Sequence, residues 1–150
     1  MMHLSEAEIG HIRESMRWLE PEVERVAPKF YDNLFRRAPA LRPMFRDDLS
    51  GQGMRFMSAV RTIADHLEDP DGLSEYVSLL ARGHAAFGIS APAYHAMEEA
   101  LIDTFRAAMG ARFIPEMQLA WRHAFRQIGK SMLEQSGSDP EAVRPVLPVR

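Results

Sequence analysis

Apolar residues recur at steps of three and four along almost the whole chain, and the period-two alternation of a half-buried strand is missing. The pattern predicts an all-α protein of six to eight helices. Ser5 and Glu8 have the spacing of a capping box, and Ile9, Ile12, Met16 and Leu19 follow at helical intervals. Pro21 restarts the chain into a second helix with Val26, Phe30, Tyr31, Leu34 and Phe35 on one side. Pro28 stands near its beginning, where proline costs less than in mid-helix. The stretch APALRPMFRDDLSGQG, with two prolines and two glycines, reads as short turns with a single helical turn at most. From about Gln52 an amphipathic helix carries Phe56, Ala59, Val60, Ile63 and Leu67 and stops at EDPDG. The next helix runs roughly from Leu73 to Phe87 and ends at Gly88. Ser90 and Pro92 open a long helix bearing Tyr94, Met97, Leu101, Phe105 and Met109. After Gly110 and Pro115 a last helix carries Met117, Trp121, Ala124, Phe125, Ile128 and Met132. The expected organisation is one domain over residues 1–136, followed by a disordered proline-rich tail over 137–150.

Composition narrows the class. The chain has 150 residues, 46% hydrophobic and 26% charged, which suits one soluble globular domain with a sizeable core. A net charge of −3 with dispersed basic residues argues against a nucleic-acid or anionic-membrane surface. There is no cysteine, so disulfides, thiolate-held zinc, iron–sulfur clusters and a cysteine nucleophile are excluded. No apolar run is long enough for a signal peptide or a membrane span, and a cytoplasmic location is expected. The ten methionines read as pliable core filler.

Three residues carry candidate chemistry. Leu73, Tyr76, Val77, Leu80, His84 and Phe87 are separated by steps of three and four, so His84 falls on the apolar stripe of its helix. Two readings stand: a hydrogen-bonded core histidine, or a neutral imidazole ligating a metal in an apolar cleft. Tyr31 and Gln52 are polar residues among apolar neighbours at helical spacing. A buried phenol or amide needs a partner, since leaving it unpaired costs about 1–3 kcal/mol. They either bond the backbone or each other, or they face a bound ligand as two donors. His3, His11, His66, His95 and His123 read as surface residues. No elbow motif supports Ser/His/Asp hydrolysis, and the acids show no metal-site spacing.

The stretches FYDNLF, PALRPMF, ARGHAAFGI, AYHAMEEALI and AWRHAFRQIGKSM stand in an order and at spacings that resemble the bacterial single-domain globins. That group is similar to the globin domain of flavohaemoglobins, and the likeness covers roughly residues 5 to 133. It implies the globin fold, with helices crossing steeply around a haem pocket. It also implies haem b as cofactor and His84 as the proximal iron ligand. Phe45 matches the phenylalanine that stacks on the haem, Tyr31 the distal tyrosine and Gln52 the distal glutamine. Phe56 matches the apolar position that crowds the ligand. Arg55 and Arg82 are candidates for the haem propionates. Tyr94 matches a tyrosine that, with a glutamate on the last helix, braces the proximal imidazole in flavohaemoglobins. Here that glutamate would fall at Ser136, and Glu134 is two positions short; the alternative is a core tyrosine bonded to a backbone carbonyl.

The implied function is binding of O2, and of NO or CO, at a pentacoordinate iron. Hydrogen bonds from Tyr31 and Gln52 would slow O2 release. The alternative is nitric oxide dioxygenation, which suits the same residues and needs electrons from a separate reductase. A gas sensor or a haem-free regulatory globin ranks below both, because His84 and Phe45 are present. No histidine stands at the Gln52 position, so a bis-histidine haem is not expected. The quaternary state expected is a monomer or homodimer.

Overall fold

The computed structural model describes residues 3–45, 49–85 and 89–135, with the side chains of residues 49, 50, 84 and 85 excepted. Six α-helices make up nearly all of it: α1 (Glu6–Leu19), α2 (Val23–Arg37), α3 (Leu49–Asp65), α4 (Pro70–Ala85), α5 (Ala91–Met109) and α6 (Pro115–Gln135). Short 3-10 segments at Glu20–Glu22, Pro39–Met44 and Gly110–Arg112 link them, and no strand occurs among the described residues. The expected tail over 137–150 lies outside the described residues. None of the described helices is long and apolar enough to cross a membrane.

The local signals act where the sequence places them. Glu8 N–H donates to the Ser5 hydroxyl at 3.1 Å, and Ser5 N–H donates to the Glu8 carboxylate at 2.9 Å, closing the capping box of α1. The Ser90 hydroxyl, two residues ahead of Pro92, accepts from Ala93 N–H at the start of α5. Gly110 ends that helix at φ 59°, a conformation that favours glycine.

Several boundaries differ from the expectation. The helix expected from Leu73 begins at Pro70, because proline lacks only an N–H that a first turn leaves unbonded, and Asp69 accepts from Gly72 N–H. EDPDG therefore caps the next helix but does not end the one before it: α3, expected to carry Leu67, already stops at Asp65. The helix expected from Gln52 begins at Leu49. Pro39–Met44 forms a six-residue 3-10 helix where at most one turn was expected.

Helix α2 lies against α3 and α5, while α6 receives α1, α4 and α5. Phe30, Leu34, Leu101, Phe105 and Ile12 are fully buried at the centre, each removal from water being worth about 1.5–3 kcal/mol. A second cluster joins Leu73, Val77 and Ala81 of α4 to Tyr94, Met132 and Leu133. The α2–α5 contact is also pinned by polar pairs. Asn33 donates to the Thr104 hydroxyl at 2.9 Å inside the core, and Arg37 holds Asp103 through two hydrogen bonds of 2.5 and 3.0 Å.

On the α5–α6 face the buried Glu98 carboxylate accepts from Arg126 at 2.9 and 3.0 Å and from Arg122 at 2.7 Å. Arg122 also bonds Glu99. Hydrogen bonds from Arg37 and Arg122 hold the Asp103 and Glu99 carboxyls below their usual values. A lowered carboxyl pKa contributes stability that is present above the unfolded value and lost as pH falls through the folded one. The melting temperature is therefore expected to fall as pH is taken below about 4.5, and to fall less in an Arg37→Met, Arg122→Met variant. An identical acid slope in that variant would remove these pairs as the cause.

Candidate functional site

Helices α2, α3, α5 and α6 enclose a cavity of about 330 Å³ whose wall is mainly apolar. Leu41, Met44 and Phe45 contribute from the α2–α3 connection, and Leu80 contributes from α4. Polar groups reach the wall from Tyr31, Gln52, Arg55, Tyr94 and Trp121. Such a mix of apolar surface and a few convergent polar groups is typical of a small-molecule or cofactor pocket.

Tyr31 is 5% exposed and sits within an aromatic cluster. Its ring meets Phe30 edge-on at 4.9 Å, Phe45 at 5.0 Å and Phe35 at 5.8 Å. Phe56 stacks on Phe30 at 3.7 Å, which fixes the cavity face of α3 against α2. No described residue accepts from or donates to the Tyr31 hydroxyl. Burial pushes its pKa up to about 12, opposed by the positive charge of Arg55, so the phenol keeps its proton at neutral pH.

Phe45 follows the 3-10 helix in an extended conformation and is gripped by Arg42. Phe45 N–H donates to the Arg42 carbonyl at 3.1 Å, and the Arg42 guanidinium donates back to the Phe45 carbonyl at 2.9 Å. The same guanidinium lies 5.5 Å from the centre of the Phe35 ring, within cation–π reach.

Gln52 and Arg55, one turn apart on α3, form a pair: Arg55 Nε donates to Gln52 Oε1 at 3.3 Å. Tyr94 on α5 is buried, with its pKa pushed up to about 12 by burial, and it packs beside Gly129 of α6. A methyl group added at Gly129 would stand 3.6 Å from the Tyr94 ring, an ordinary packing contact.

Of the residues singled out from the sequence, Tyr31, Phe45, Gln52, Arg55, Phe56 and Tyr94 all line this one cavity. The His84 side chain lies outside the described residues; its backbone belongs to α4, one turn after the cavity-lining Leu80. Arg82 is exposed and is not on the cavity wall. Glu134 is exposed on α6, and Ser136 lies outside the described residues. His3, His95 and His123 are exposed, while His11 and His66 are half-buried.

Three features escaped the sequence reading. Trp121 is 4% exposed, lines the cavity, and its indole N–H has no hydrogen-bond partner among the described residues. Gly53 of α3 presses on the backbone of Ala27. His95, Glu98 and Glu99 offer three potential metal-ligand atoms within 4.8 Å of one another, although both carboxylates are already bonded by arginines. The helical spacing of Trp121, Ala124 and Phe125 on α6 signals burial but not an unpaired donor, and the other two features join residues distant in sequence or one turn apart.

Comparison with known proteins supplies the lineage. The globin family model matches residues 28–132. A flavohemoprotein of Bordetella pertussis is 27% identical over 118 residues, 77% of this chain and 29% of that protein. A flavohemoprotein of Vibrio cholerae is 22% identical over 138 residues, 90% of this chain and 35% of that protein. The chain therefore spans about three-tenths to one-third of the length of these flavohemoproteins. A rice protein (Oryza sativa subsp. indica) named anaerobic nitrite reductase NSHB5 is 27% identical over 142 residues, 89% of this chain and 97% of its own length. With the family model covering most of the chain and an all-helical fold whose α2, α3, α5 and α6 enclose an apolar cavity, this protein belongs to the globin family.

Proposed function

We propose that the chain is a haem-binding globin that holds iron protoporphyrin IX (haem b) in the central cavity through His84 and binds O2, and other diatomic gases, beside Tyr31 and Gln52. The observation that carries this reading is the meeting on one apolar cavity wall of six residues singled out from the sequence, Tyr31, Phe45, Gln52, Arg55, Phe56 and Tyr94. The cavity suits the group: its surface is largely aliphatic and aromatic, as a flat apolar macrocycle requires, and its polar groups are few. The stripe of α4 reaches the cavity at Leu80, one turn before His84. When bound, the haem supplies an iron coordination position open to a diatomic gas.

The residues divide the remaining work. Tyr31 retains its proton and can donate to a guest that carries partial negative charge. Gln52 offers amide N–H groups to the same guest. Phe56 and Phe45 fill space and exclude water, and the Arg42 grip keeps Phe45 in place. Arg55 is the cation on the cavity wall and a candidate partner for a propionate. Tyr94 packs against α6 through Gly129.

Kinship with flavohemoproteins favours a second reading, nitric oxide dioxygenation, in which NO, O2 and one electron give nitrate. That cycle needs an electron donor. An absorption spectrum of the purified protein, reduced and then exposed to O2 and to CO, tests the haem reading. A Soret band that moves with each gas in the wild type, and is displaced or lost in His84→Ala, is the expected result. A chain that takes up no haem when supplied with it would end the proposal. NO consumption with added reductase, faster than the same mixture lacking the globin, selects the enzymatic reading.

A further inference from the structure

The orientation of a glutamine amide decides what it can do for a guest: its nitrogen donates and its oxygen repels electron density. Nothing in α3 alone selects between the two. The neighbour of Gln52 does. Arg55 Nε stands 3.3 Å from the Gln52 side-chain oxygen, one helical turn along the same face. A guanidinium has five N–H donors and no acceptor, so the amide atom turned toward it must be oxygen. The amide N–H groups are then left to the remainder of the cavity wall, where both residues lie with Tyr31. Arg55 is exposed at the mouth of the cavity, and its one side-chain hydrogen bond among the described residues is this one to Gln52. Its charge reaches Tyr31, where it opposes the effect of burial on the phenol.

We infer that Arg55 is a positioning residue: by donating to the Gln52 carbonyl, it locks the amide with its N–H groups toward the gas-binding side and so makes Gln52 a donor. This rests on the haem reading above and adds to it a residue whose effect passes through Gln52. A lysine at this position, also a pure donor, preserves the orientation. A glutamate, a pure acceptor, attracts the amide N–H groups and turns the carbonyl oxygen toward the guest.

The experiment uses the CO complex of the haem-loaded full chain. The C–O stretch falls when a donor or positive field faces the oxygen of CO, and rises when a lone pair does. Arg55→Lys is expected to keep the wild-type frequency. Arg55→Leu should raise it modestly, and Arg55→Glu should raise it most. O2 release should accelerate in the same order, by about tenfold for Arg55→Glu. Each substitution is then repeated in a Gln52→Leu background, a double-mutant cycle that isolates the coupling. Loss of the Arg55 effects in that background supports the inference. Equal shifts with and without Gln52 would overturn it, because the charge would then act directly through space. Unchanged frequencies across the whole series would overturn it too. A wild-type chain that forms no CO complex overturns the haem reading itself, which separates the two failures.

Discussion

Replacing Tyr31 by phenylalanine is expected to speed O2 dissociation roughly 10- to 100-fold, with little change in folding stability. The change removes one oxygen atom and leaves the ring that packs against Phe30, Phe35, Phe45 and Phe56. A hydrogen bond to a group bearing charge is worth about 1.5–3 kcal/mol, which is that span of affinity. No described residue bonds the hydroxyl, so its loss orphans no protein group and the melting temperature should barely move. The phenol titrates only at about 12, because burial disfavours its charged form. Wild-type release should therefore be level between about pH 6 and 9, with the donor proton present throughout. Stopped-flow displacement of O2 by CO reads both quantities. An acceleration below about threefold would remove Tyr31 from the role of ligand donor.

Gly53→Val is expected to lower the melting temperature by roughly 3–10 °C and to speed O2 release as well. A side-chain carbon at residue 53 would stand 2.7 Å from the Ala27 carbonyl oxygen and 3.0 Å from its carbon. These are backbone atoms, so relief requires α2 and α3 to move apart. Overpacking of this kind costs about 1–3 kcal/mol, and replacing a helical glycine offsets at most about 1 kcal/mol of it. For a chain of this size each kcal/mol shifts melting by about 2–4 °C. The gas-binding consequence follows from position: Tyr31 is one turn beyond Ala27 on α2, and Gln52 adjoins Gly53 on α3. Parting these helices widens the gap between the two donors. Gly10 of α1 has nothing within 4 Å of its would-be side chain and provides the control. A Gly53→Val chain with unaltered melting would show that the helix crossing has slack the geometry denies.

Much of the architecture was legible because helices announce themselves locally. Ser5 with Glu8, Ser90 ahead of Pro92, and Gly110 after Met109 satisfy the same backbone groups in any context, and each acts here as its spacing indicates. Segments whose form depends on neighbours were less legible. Pro39–Met44 carries no periodic signal, yet it winds into a 3-10 helix that delivers Phe45 to the cavity with Arg42 closing the turn. Pro70, read as punctuation, is the first residue of α4 because a proline at that position forfeits no hydrogen bond.

The candidate site divides the same way. The sequence by itself determined an all-α chain and singled out six of the residues that line its cavity. That was possible because helical periodicity sorts side chains by face, and the identity of a polar residue on an apolar face is visible in the letters. Only the tertiary structure decided how those residues work together. The bond from Arg55 to the Gln52 oxygen, the indole of Trp121 unpartnered among the described residues, the ring stack of Phe56 on Phe30 and the pressure of Gly53 on Ala27 depend on how helices cross or how rotamers settle. Periodicity specifies which face of a helix is buried; the angle and distance at which two buried faces meet are set by close packing of all the side chains between them.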